Sequence, residues 1–498
     1  MSEGFIVPKE LEDKNNLIGG VWSNASSGKT FEVRSPVSGE ILATVPKCDS
    51  ADVDKAVEAA RRTRDTFKST PVAKRIALLR RIDEIILERK ETIAKVLTME
   101  QGKPYSREAL PEVEESAENI RLNAEDIIRL ESPVLPIPDP DKRSISFREG
   151  IGVMAAITPW NFPTVIPSEY IGPALAVGNP VVLKPASTTP LSAILMTHCI
   201  QDALDELEFP KGIFSLITGP GASIGSYLVA HPGVDVIGFT GESVTGEAIC
   251  HKAGLKPTLM ECGGNGPQIV CNDANLKEAA IAAAYGCFFN SGQVCVATER
   301  ILVHKSVHDE FLDLILGEVK KWKLGDPMEE ETSMGPLNNE PTALKTETHL
   351  KDASEKGAKI LCGGQRESGW PTNLYFPPTV IDGVTRDMLL NKEETFGPVA
   401  PIIAFENDEE AVEIANETGY GLQMAVFTSS LKRCFYYMER LRTGNLVIND
   451  TTCWWGTLNP PFGGGGGTKS GHGLLGGHWA LEDLTYLKSI VIDTSKVL

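Results

Sequence analysis

The 498-residue sequence lacks the features that mark several classes of protein. Its 10 cysteines form no C-x-x-C pair and are too sparse for a disulfide scaffold, so we expect a reducing compartment and no metal cluster. It has no apolar run of about 18 residues, as a membrane-spanning helix would need, and its amino-terminal segment lacks the apolar stretch of a secretory signal. Basic residues are also few, with 48 Lys and Arg against 67 Asp and Glu, which argues against a nucleic-acid or membrane partner. We therefore predict a cytoplasmic protein.

What is present is an ordinary globular composition, with 42% hydrophobic and 23% charged residues. The length predicts two or three domains. Short strands and then two amphipathic helical segments occupy the first 130 residues or so. The alternation in RSISF, after a Pro-rich break, predicts an extended ribbon that pairs outside its own domain, often with another subunit. From residue 151 onward, short β-branched runs alternate with helical segments, which is typical of a parallel sheet covered on both faces.

One cysteine lies in an unusual setting, the stretch FFNSGQVCVATER at residues 288–300. A short polar and flexible turn, residues 290–293, precedes Cys295, so a ligand and backbone N–H donors can reach its thiol. Isolated cysteines are more often buried and inert than reactive. This stretch alone leaves both interpretations open.

Candidate cofactor contacts follow the predicted strands, because ligands of open parallel sheets bind at the carboxyl ends of the strands. Gly219, Gly221 and Gly225 come after the strand GIFSLIT, one residue longer in spacing than the usual dinucleotide fingerprint. Gly241 ends the next strand and opens a helix whose free N–H groups suit a phosphate. Lys184 ends another strand, where it meets either a cofactor or solvent.

Two further polar residues at strand ends suit catalysis. Glu261 lies in an apolar strand, and a buried carboxylate needs a partner or has a raised pKa. A pKa raised towards neutrality suits a general base, and a structural ion pair is the alternative. Asn161, in ITPWNFP, carries an amide that can stabilise an oxyanion.

The motifs TPWNFP, KPAS, GFTG, MECGGN, NSGQVC, EETFGPV and PFGG occur in this order, and through them the chain resembles the aldehyde dehydrogenase superfamily from about residue 17 to 493. The resemblance implies an α/β fold with three parts. These are a Rossmann-like cofactor domain (1–131 and 150–257), an α/β catalytic domain (258–473) and a β-hairpin oligomerisation segment (132–149 and 474–498). The last part implies a homodimer or homotetramer.

The resemblance also implies oxidation of an aldehyde to its carboxylic acid with NAD or NADP. Cys295 matches the nucleophile that forms a thiohemiacetal and then a thioester, and Glu261 matches the base that activates water to hydrolyse it. Asn161 and the Cys295 backbone N–H match the oxyanion donors. The implied cofactor contacts are Ile157, Trp160, Lys184, Ser187, Gly221, Gly225, Phe239, Gly241, Glu242, Glu394 and Phe396.

The sequence departs from the family pattern at three places. Ser187 stands where NAD-specific members commonly have a glutamate that binds the ribose, so NADP is not repelled. Glu242 stands in the G-S-T that usually precedes the phosphate-binding helix, and brings a carboxylate towards the cofactor pyrophosphate. The glycine run after PFGG is longer than usual.

The substrate channel is expected to include Phe162, Ile166, Glu169, Tyr170, Val294, Val296, Trp454 and Trp455. The two tryptophans either suit an apolar or aromatic aldehyde or pack under a loop. The lack of arginine argues against a phosphorylated or carboxylated aldehyde, and Glu169, if it faces the channel, favours a cationic substrate. Two alternatives remain: a CoA-acylating semialdehyde dehydrogenase, whose relatives generally lack the Glu261 carboxylate, and a catalytically silent relative.

Overall fold

The computed structural model describes residues 8–11, 15–454 and 460–496. A first sheet joins eight strands. Its five central strands run parallel, and the strand at one edge is antiparallel to them. At the other edge the sheet is extended by an antiparallel hairpin, whose first strand is antiparallel to its central neighbour. In spatial order the strands are β19 (Gly471–His472), β11 (Thr258–Cys262), β10 (Val236–Gly241), β7 (Met154–Ile157), β8 (Val181–Lys184), β9 (Phe214–Leu216), β1 (Asn16–Ile18) and β2 (Val21–Ser23).

Helices cover both faces of this sheet, as the alternating pattern predicted. One core joins the sheet to the second, third, fourth and fifth helices, and another joins it to the first, sixth and seventh. Asp49 begins the first helix with a reciprocal capping box to Asp52, which satisfies N–H groups that the helix cannot. The helices are α1 (Ser50–Lys68), α2 (Val72–Gln101), α3 (Leu110–Asp126), α4 (Val165–Val177), α5 (Leu191–Glu206), α6 (Ser226–Ala230) and α7 (Ser243–Ala253).

A second sheet has seven strands, all parallel except the first at one edge. In spatial order they are β14 (Lys359–Cys362), β15 (Thr379–Asp382), β16 (Val399–Phe405), β13 (Arg300–His304), β12 (Pro267–Val270), β17 (Gln423–Phe427) and β18 (Asn445–Ile448). Two apolar cores pack on it. The helices of this part are α8 (Leu276–Phe288), α9 (His308–Val319), α10 (Glu340–Glu355), α11 (Leu389–Lys392), α12 (Asp408–Asn416) and α13 (Leu431–Arg440).

The predicted ribbon is a strand of a third, antiparallel sheet. It comprises β5 (Val134–Leu135), β6 (Lys142–Gly150) and β20 (Thr485–Asp493), and β6 pairs with β20 along nine residues. A short helix, α14 (Gly477–Asp483), leads into β20, and a separate hairpin joins β3 (Thr30–Arg34) to β4 (Ile41–Pro46). The segments predicted at 132–149 and 474–498 therefore meet in one sheet.

The domain boundary predicted at residue 258 falls inside the first sheet. Strand β11 pairs in parallel with β10, from Ile237 with Thr258 to Gly241 with Cys262. Because these backbone hydrogen bonds belong to the first sheet, that sheet continues to Cys262, and β19 adds a strand from much later in the chain. This continuation could not be predicted, since the strands of both sheets have the same pattern of short β-branched runs.

Candidate active site

The carboxyl ends of β7, β10 and β11 border a cavity of about 280 Å³. Cys295 and Asn161 lie in its wall together with several predicted cofactor contacts. Those contacts are Trp160, Gly241, Glu242, Glu394 and Phe396. Lys345 and Gly263, which the sequence did not single out, also border it.

A second, smaller cavity of about 40 Å³ lies on the other side of Cys295. Four predicted channel residues line it: Phe162, Ile166, Glu169 and Val294. Glu261 borders it too, with Phe462 and Leu475 from the glycine-rich segment, which the sequence did not place in the channel. Cys295, Thr240 and Cys262 line both cavities, so the thiol lies where the two meet.

The turn before Cys295 has a constrained backbone. Asn290 (φ 50°) and Ser291 (φ 56°) both adopt the left-handed region, followed by Gly292 (φ 73°). Residues other than glycine rarely adopt this backbone conformation, and each one held in it raises the free energy of the fold by about 1–3 kcal/mol. Hydrogen bonds hold the turn, from the Asn290 N–H to Glu108 Oε1 (3.1 Å) and from Ser291 Oγ to the Gly335 carbonyl (2.8 Å). The polar turn before Cys295 was predicted to be flexible, but these hydrogen bonds hold it in one conformation.

Asn161 lies against this turn. Its Nδ2 donates to the Gln293 carbonyl at 3.0 Å, and its own carbonyl accepts from Asn290 Nδ2 at 3.1 Å. An amide nitrogen carries two N–H groups, so a second one remains for a ligand. Asn161 is thus held rigidly beside Cys295 in the wall of the larger cavity.

Sequence reasoning missed the ion pair that supports Asn161. Lys103 Nζ lies 2.6 Å from Glu112 Oε2 and donates to the Asn161 carbonyl at 2.9 Å. The other oxygen of Glu112 accepts from the backbone and hydroxyl of Thr164 and from the Val165 N–H. The pair lies some fifty residues before Asn161 in the sequence, with Lys103 just after the end of α2 and Glu112 on α3, so only the tertiary fold identifies it.

Glu261 has the opposite environment. Both of its carboxylate oxygens are buried without a hydrogen-bond partner among the described residues. Burial raises its pKa well above 4.5, and the nearby Glu169 raises it further. A Cβ on Gly463 would lie 3.1 Å from Glu261 Oε1, so the glycine run passes directly over the carboxyl group.

Among the described residues, the groups that shift the pKa of the Cys295 thiol all raise it. Burial raises that pKa well above 9.0, and the carboxyl groups of Glu261, Glu394 and Glu169 raise it further. The resting form is therefore the thiol, which must lose its proton before it can act as a nucleophile.

Lys184, Ser187 and the Gly219–Gly225 region come together at the ends of β8 and β9. Lys184 is buried rather than exposed to solvent, its Nζ donates to the Pro185 carbonyl at 2.6 Å, and burial lowers its pKa to about 8. A Cβ on Gly225 would lie 3.4 Å from Lys184 and 4.0 Å from Ile157. Ser187 Oγ donates to the Gly219 carbonyl at 2.9 Å.

The start of α7 is suited to a phosphate group. Glu242 precedes the helix, is exposed and makes no capping hydrogen bond. The Ser243 hydroxyl is buried without a partner among the described residues. Free helix N–H groups and an unsatisfied hydroxyl fit a pyrophosphate. Phe239 does not line the cavity; its ring packs beneath Gly241 and Gly246.

Glu394 and Phe396 are held by a buried residue that the sequence did not single out. Glu299 accepts from the backbone N–H groups of Thr395 (2.8 Å) and Phe396 (2.9 Å). Glu394 accepts from the Gly264 N–H at 2.9 Å, and burial, followed by the charge of Glu299, raises its pKa to about 8. Phe396 has φ 62° and packs edge-on against Trp160, with ring centroids 5.5 Å apart.

Three predicted channel residues do not line the smaller cavity. Tyr170 is buried behind it, with its hydroxyl 2.8 Å from Thr240 Oγ1, because the next position on α4 turns away from Glu169. Val296 is also buried and, unlike Val294, does not line the smaller cavity. Trp454 is half exposed and borders neither cavity. Trp455 lies outside the described residues.

The motifs and this geometry agree with comparisons to known proteins. The model of the aldehyde dehydrogenase family matches residues 22–490. Over 477 residues the chain is 37% identical to the lactaldehyde dehydrogenase of Methanocaldococcus jannaschii. The match covers 96% of this chain and 100% of that protein. The chain belongs to the aldehyde dehydrogenase family.

Solved structures share its fold. The crystal structure of succinate-semialdehyde dehydrogenase from Burkholderia pseudomallei superposes with a TM-score of 0.94, at 38% identity, covering 98% of this chain and 100% of that one. A point mutant of betaine aldehyde dehydrogenase from Staphylococcus aureus, in complex with NAD+, gives 0.92 at 32% identity and covers 97% of each chain. The predicted α/β fold of the family is confirmed.

The protein is therefore an NAD(P)-dependent oxidoreductase that oxidises an aldehyde to a carboxylic acid. Relatives include both NADP-dependent enzymes and complexes with NAD+. Within the described ranges, no helix is long and apolar enough to cross a membrane. The same part of the chain contains no group of three His, Cys, Asp or Glu side chains that could hold a metal ion.

Proposed function

We propose that Cys295 is the nucleophile of this oxidation, that Glu261 is the base that hydrolyses the thioester, and that Asn161 stabilises the oxyanion. The observation that carries the proposal is the position of Cys295, whose side chain borders both cavities. A reaction that passes a hydride from aldehyde to cofactor needs a group at the junction of the two sites. Cys295 occupies that junction.

The chemistry follows from the groups at this junction. The Cys295 thiol loses its proton to solvent and its sulfur bonds to the aldehyde carbon, so that the carbonyl oxygen becomes an oxyanion. The second amide N–H of Asn161 and the Cys295 backbone N–H donate to that oxygen. Loss of hydride from the same carbon leaves a thioester on Cys295. The rigid turn at residues 290–293 supports this role, because it fixes the direction of the thiol.

Glu261 supplies the second half of the reaction. Water must add to the thioester carbon while a base takes its proton. The bond between that carbon and the Cys295 sulfur then breaks, which releases the carboxylic acid. The unpaired oxygens of Glu261 and its raised pKa support a role as general base.

The residues around the larger cavity fit NAD(P), which supplies the hydride acceptor when it is bound. The Ser243 hydroxyl and the N–H groups of α7 would hold the pyrophosphate, Lys184 and Ser187 the adenosine ribose, and Glu394 the nicotinamide ribose. Lys345 lies in the same wall and contributes positive charge towards the acidic groups there.

The test is absorbance at 340 nm with an aldehyde panel, NAD or NADP, and CoA present or absent. Cys295→Ala should abolish cofactor reduction while calorimetric cofactor binding persists. Cys453→Ala is the matched control, since that buried thiol donates to the Val296 carbonyl but borders neither cavity. Substantial turnover by Cys295→Ala would contradict the proposal. Turnover that requires CoA would favour the acylating alternative, and no turnover by the wild type would favour a silent relative.

We also propose that the third sheet joins subunits in a homodimer or homotetramer. Its strands expose apolar side chains, among them Val134, Leu487 and Val491, at 68%, 53% and 59% exposure. An exposed apolar sheet is a typical interaction surface. Light scattering of the purified protein measures the assembly.

A further inference from the structure

The smaller cavity beside Cys295 combines apolar walls with acidic groups. Its apolar part is formed by Phe162, Val165, Ile166, Val294, Phe462 and Leu475. The ionisable groups in its wall are two carboxyls, from Glu169 and Glu261, and two thiols, and no described residue of the wall is basic. An aldehyde that enters this cavity therefore meets aliphatic and aromatic surface together with carboxyl groups.

Glu169 differs in position from Glu261. It lies on α4 three residues after Ile166 and four after Val165, so these three side chains share one face of the helix. Glu169 also borders a neighbouring small cavity whose wall includes Asn119 and Asp126 of α3, whereas Glu261 does not. Glu169 thus lies at the side of the aldehyde cavity that borders the neighbouring cavity. Glu261 and Cys295 have the proposed chemical roles, and Glu169 has none of them.

Glu169 has no counter-ion within the described part of the chain. Burial is the main cause that raises its pKa well above 4.5, and the charge of Glu115 on α3 adds to it. A carboxyl group in such surroundings is costly to ionise unless a cation lies beside it. An ammonium group would lower that pKa again, so the cation and the ionised carboxylate would stabilise each other.

We propose that Glu169 forms an anionic subsite of the aldehyde channel, and that the enzyme prefers aldehydes whose far end carries an ammonium group on a short aliphatic chain. The apolar wall would contact the methylene groups, and the ring of Phe462 would add cation–π attraction. Aldehydes that end in a carboxylate would find no basic partner among the described residues of this wall and would meet carboxyl groups instead. This inference rests on the proposed role of Cys295 and names the substrate class of the same site.

The test uses three aldehydes with the same three methylene groups and different ends. These are 4-(trimethylammonio)butanal, its neutral carbon isostere 5,5-dimethylhexanal, and the anion 5-oxopentanoate. Wild-type kcat/KM should be at least tenfold higher for the cation than for the neutral isostere, and lowest for the anion. Glu169→Gln should lower kcat/KM for the cation at least tenfold and change it less than threefold for the isostere. Asp126→Asn, which alters the neighbouring cavity only, should leave all three values unchanged.

A second measurement needs no variant. Butyltrimethylammonium should inhibit oxidation of the neutral aldehyde competitively, and its uncharged carbon isostere should do so at least tenfold more weakly. Equal inhibition by both compounds, or equal loss with all three aldehydes in Glu169→Gln, would overturn the inference and assign Glu169 to structure or proton transfer. A wild type that oxidises the neutral aldehyde without preferring the cation would overturn this inference alone. A wild type that oxidises none of the three, or a fully active Cys295→Ala, would instead overturn the proposed function.

Discussion

Two neighbouring regions of this enzyme differ in whether their buried ionisable groups have partners. Behind Asn161, Lys103 and Glu112 are 0% and 2% exposed, and their charged atoms meet each other and several hydrogen-bond partners. In front of Asn161, Glu261 is just as buried, yet neither of its oxygens has a partner among the described residues. The first region is a satisfied network and the second is an unsatisfied one.

The difference separates support from chemistry. Buried polar groups are normally paired, so an unpaired one marks a place where stability has been given up. The Lys103–Glu112 pair fixes the start of α4 and the backbone of Asn161 in place. Glu261, without partners, keeps its lone pairs for a water molecule. Substitutions in the two regions should therefore differ in kind, and the following predictions test that difference.

The largest effect is expected for Glu261→Gln. Its steady-state turnover should fall on the order of 10²- to 10⁴-fold, the usual contribution of a general base. If thioester hydrolysis is the step that is lost, a rapid burst of reduced cofactor should persist in stopped-flow measurements. An unchanged steady-state rate would remove Glu261 from the mechanism.

The same variant should change the pH profile. Because burial and Glu169 raise the pKa of Glu261, wild-type thioester hydrolysis should speed up as pH rises through that raised pKa and be lost below it. In Glu261→Gln this dependence should disappear. A dependence that persists would assign the titration to another group.

Stability should respond in the opposite sense in the two regions. Glu112→Gln leaves the Lys103 ammonium buried without its counter-ion, at a cost on the order of 3–5 kcal/mol, so Tm should fall by several degrees. Glu261→Gln removes a charge that has no partner, so Tm should stay the same or rise. Thermal scans of both variants at one scan rate make the comparison. An equal fall in both would mean that Glu261 is paired after all.

The sequence predicted the unsatisfied region better than the satisfied one. Cys295, Glu261 and Asn161 lie in short motifs at strand ends, where a reactive or polar residue is locally conspicuous. Lys103 follows the end of α2 and Glu112 lies on α3, in a part of the chain rich in charge, and nothing local distinguishes them from surface residues. The directions of successive side chains along α4 and around Cys295 could not be predicted either, and Tyr170 and Val296, which were expected in the channel, do not line the smaller cavity.

The parallel sheets were predicted because β-branched runs alternate with helices over the whole chain. The division of the strands between the two sheets was not predicted, because tertiary contacts decide which strands pair. Strand β11 continues the first sheet, and β19 reaches it from more than two hundred residues later. Phe462 and Leu475 were missed for the same reason, since they pair across a glycine-rich loop that resembles low complexity.

A smaller effect is expected at Ser187, in the cofactor region. Its hydroxyl bonds to the Gly219 carbonyl and brings no negative charge to the adenosine side. The wild type should therefore use NADP measurably, and Ser187→Glu should lower the NADP-to-NAD ratio of kcat/KM about tenfold by repulsion of the 2′-phosphate. Ser187→Ala, which removes the hydrogen bond without adding charge, is the control. Wild-type discrimination against NADP beyond about a thousandfold, roughly 4 kcal/mol, would contradict this.

The smallest effect is expected at Glu242, an exposed carboxylate in the wall of the larger cavity. A carboxylate before a helix is favourable by itself, but this one caps no N–H group and lines the larger cavity. Its charge also adds to those that raise the pKa of Glu394, which indicates that it acts on the interior of that cavity. A pyrophosphate at the start of α7 would meet it as a like charge.

Glu242→Ser should therefore tighten binding of NAD and NADP several-fold in calorimetric titrations at low salt. The gain should shrink at high ionic strength, because screening already weakens the repulsion in the wild type. Glu247→Gln is the matched control, since it removes the same charge from an exposed position further along α7, where the carboxyl lies 3.9 Å from His251. If that control tightened binding equally, the effect would come from net charge alone. Equal dissociation constants for wild type and Glu242→Ser at low salt would mean that Glu242 turns away from the phosphates when the cofactor binds.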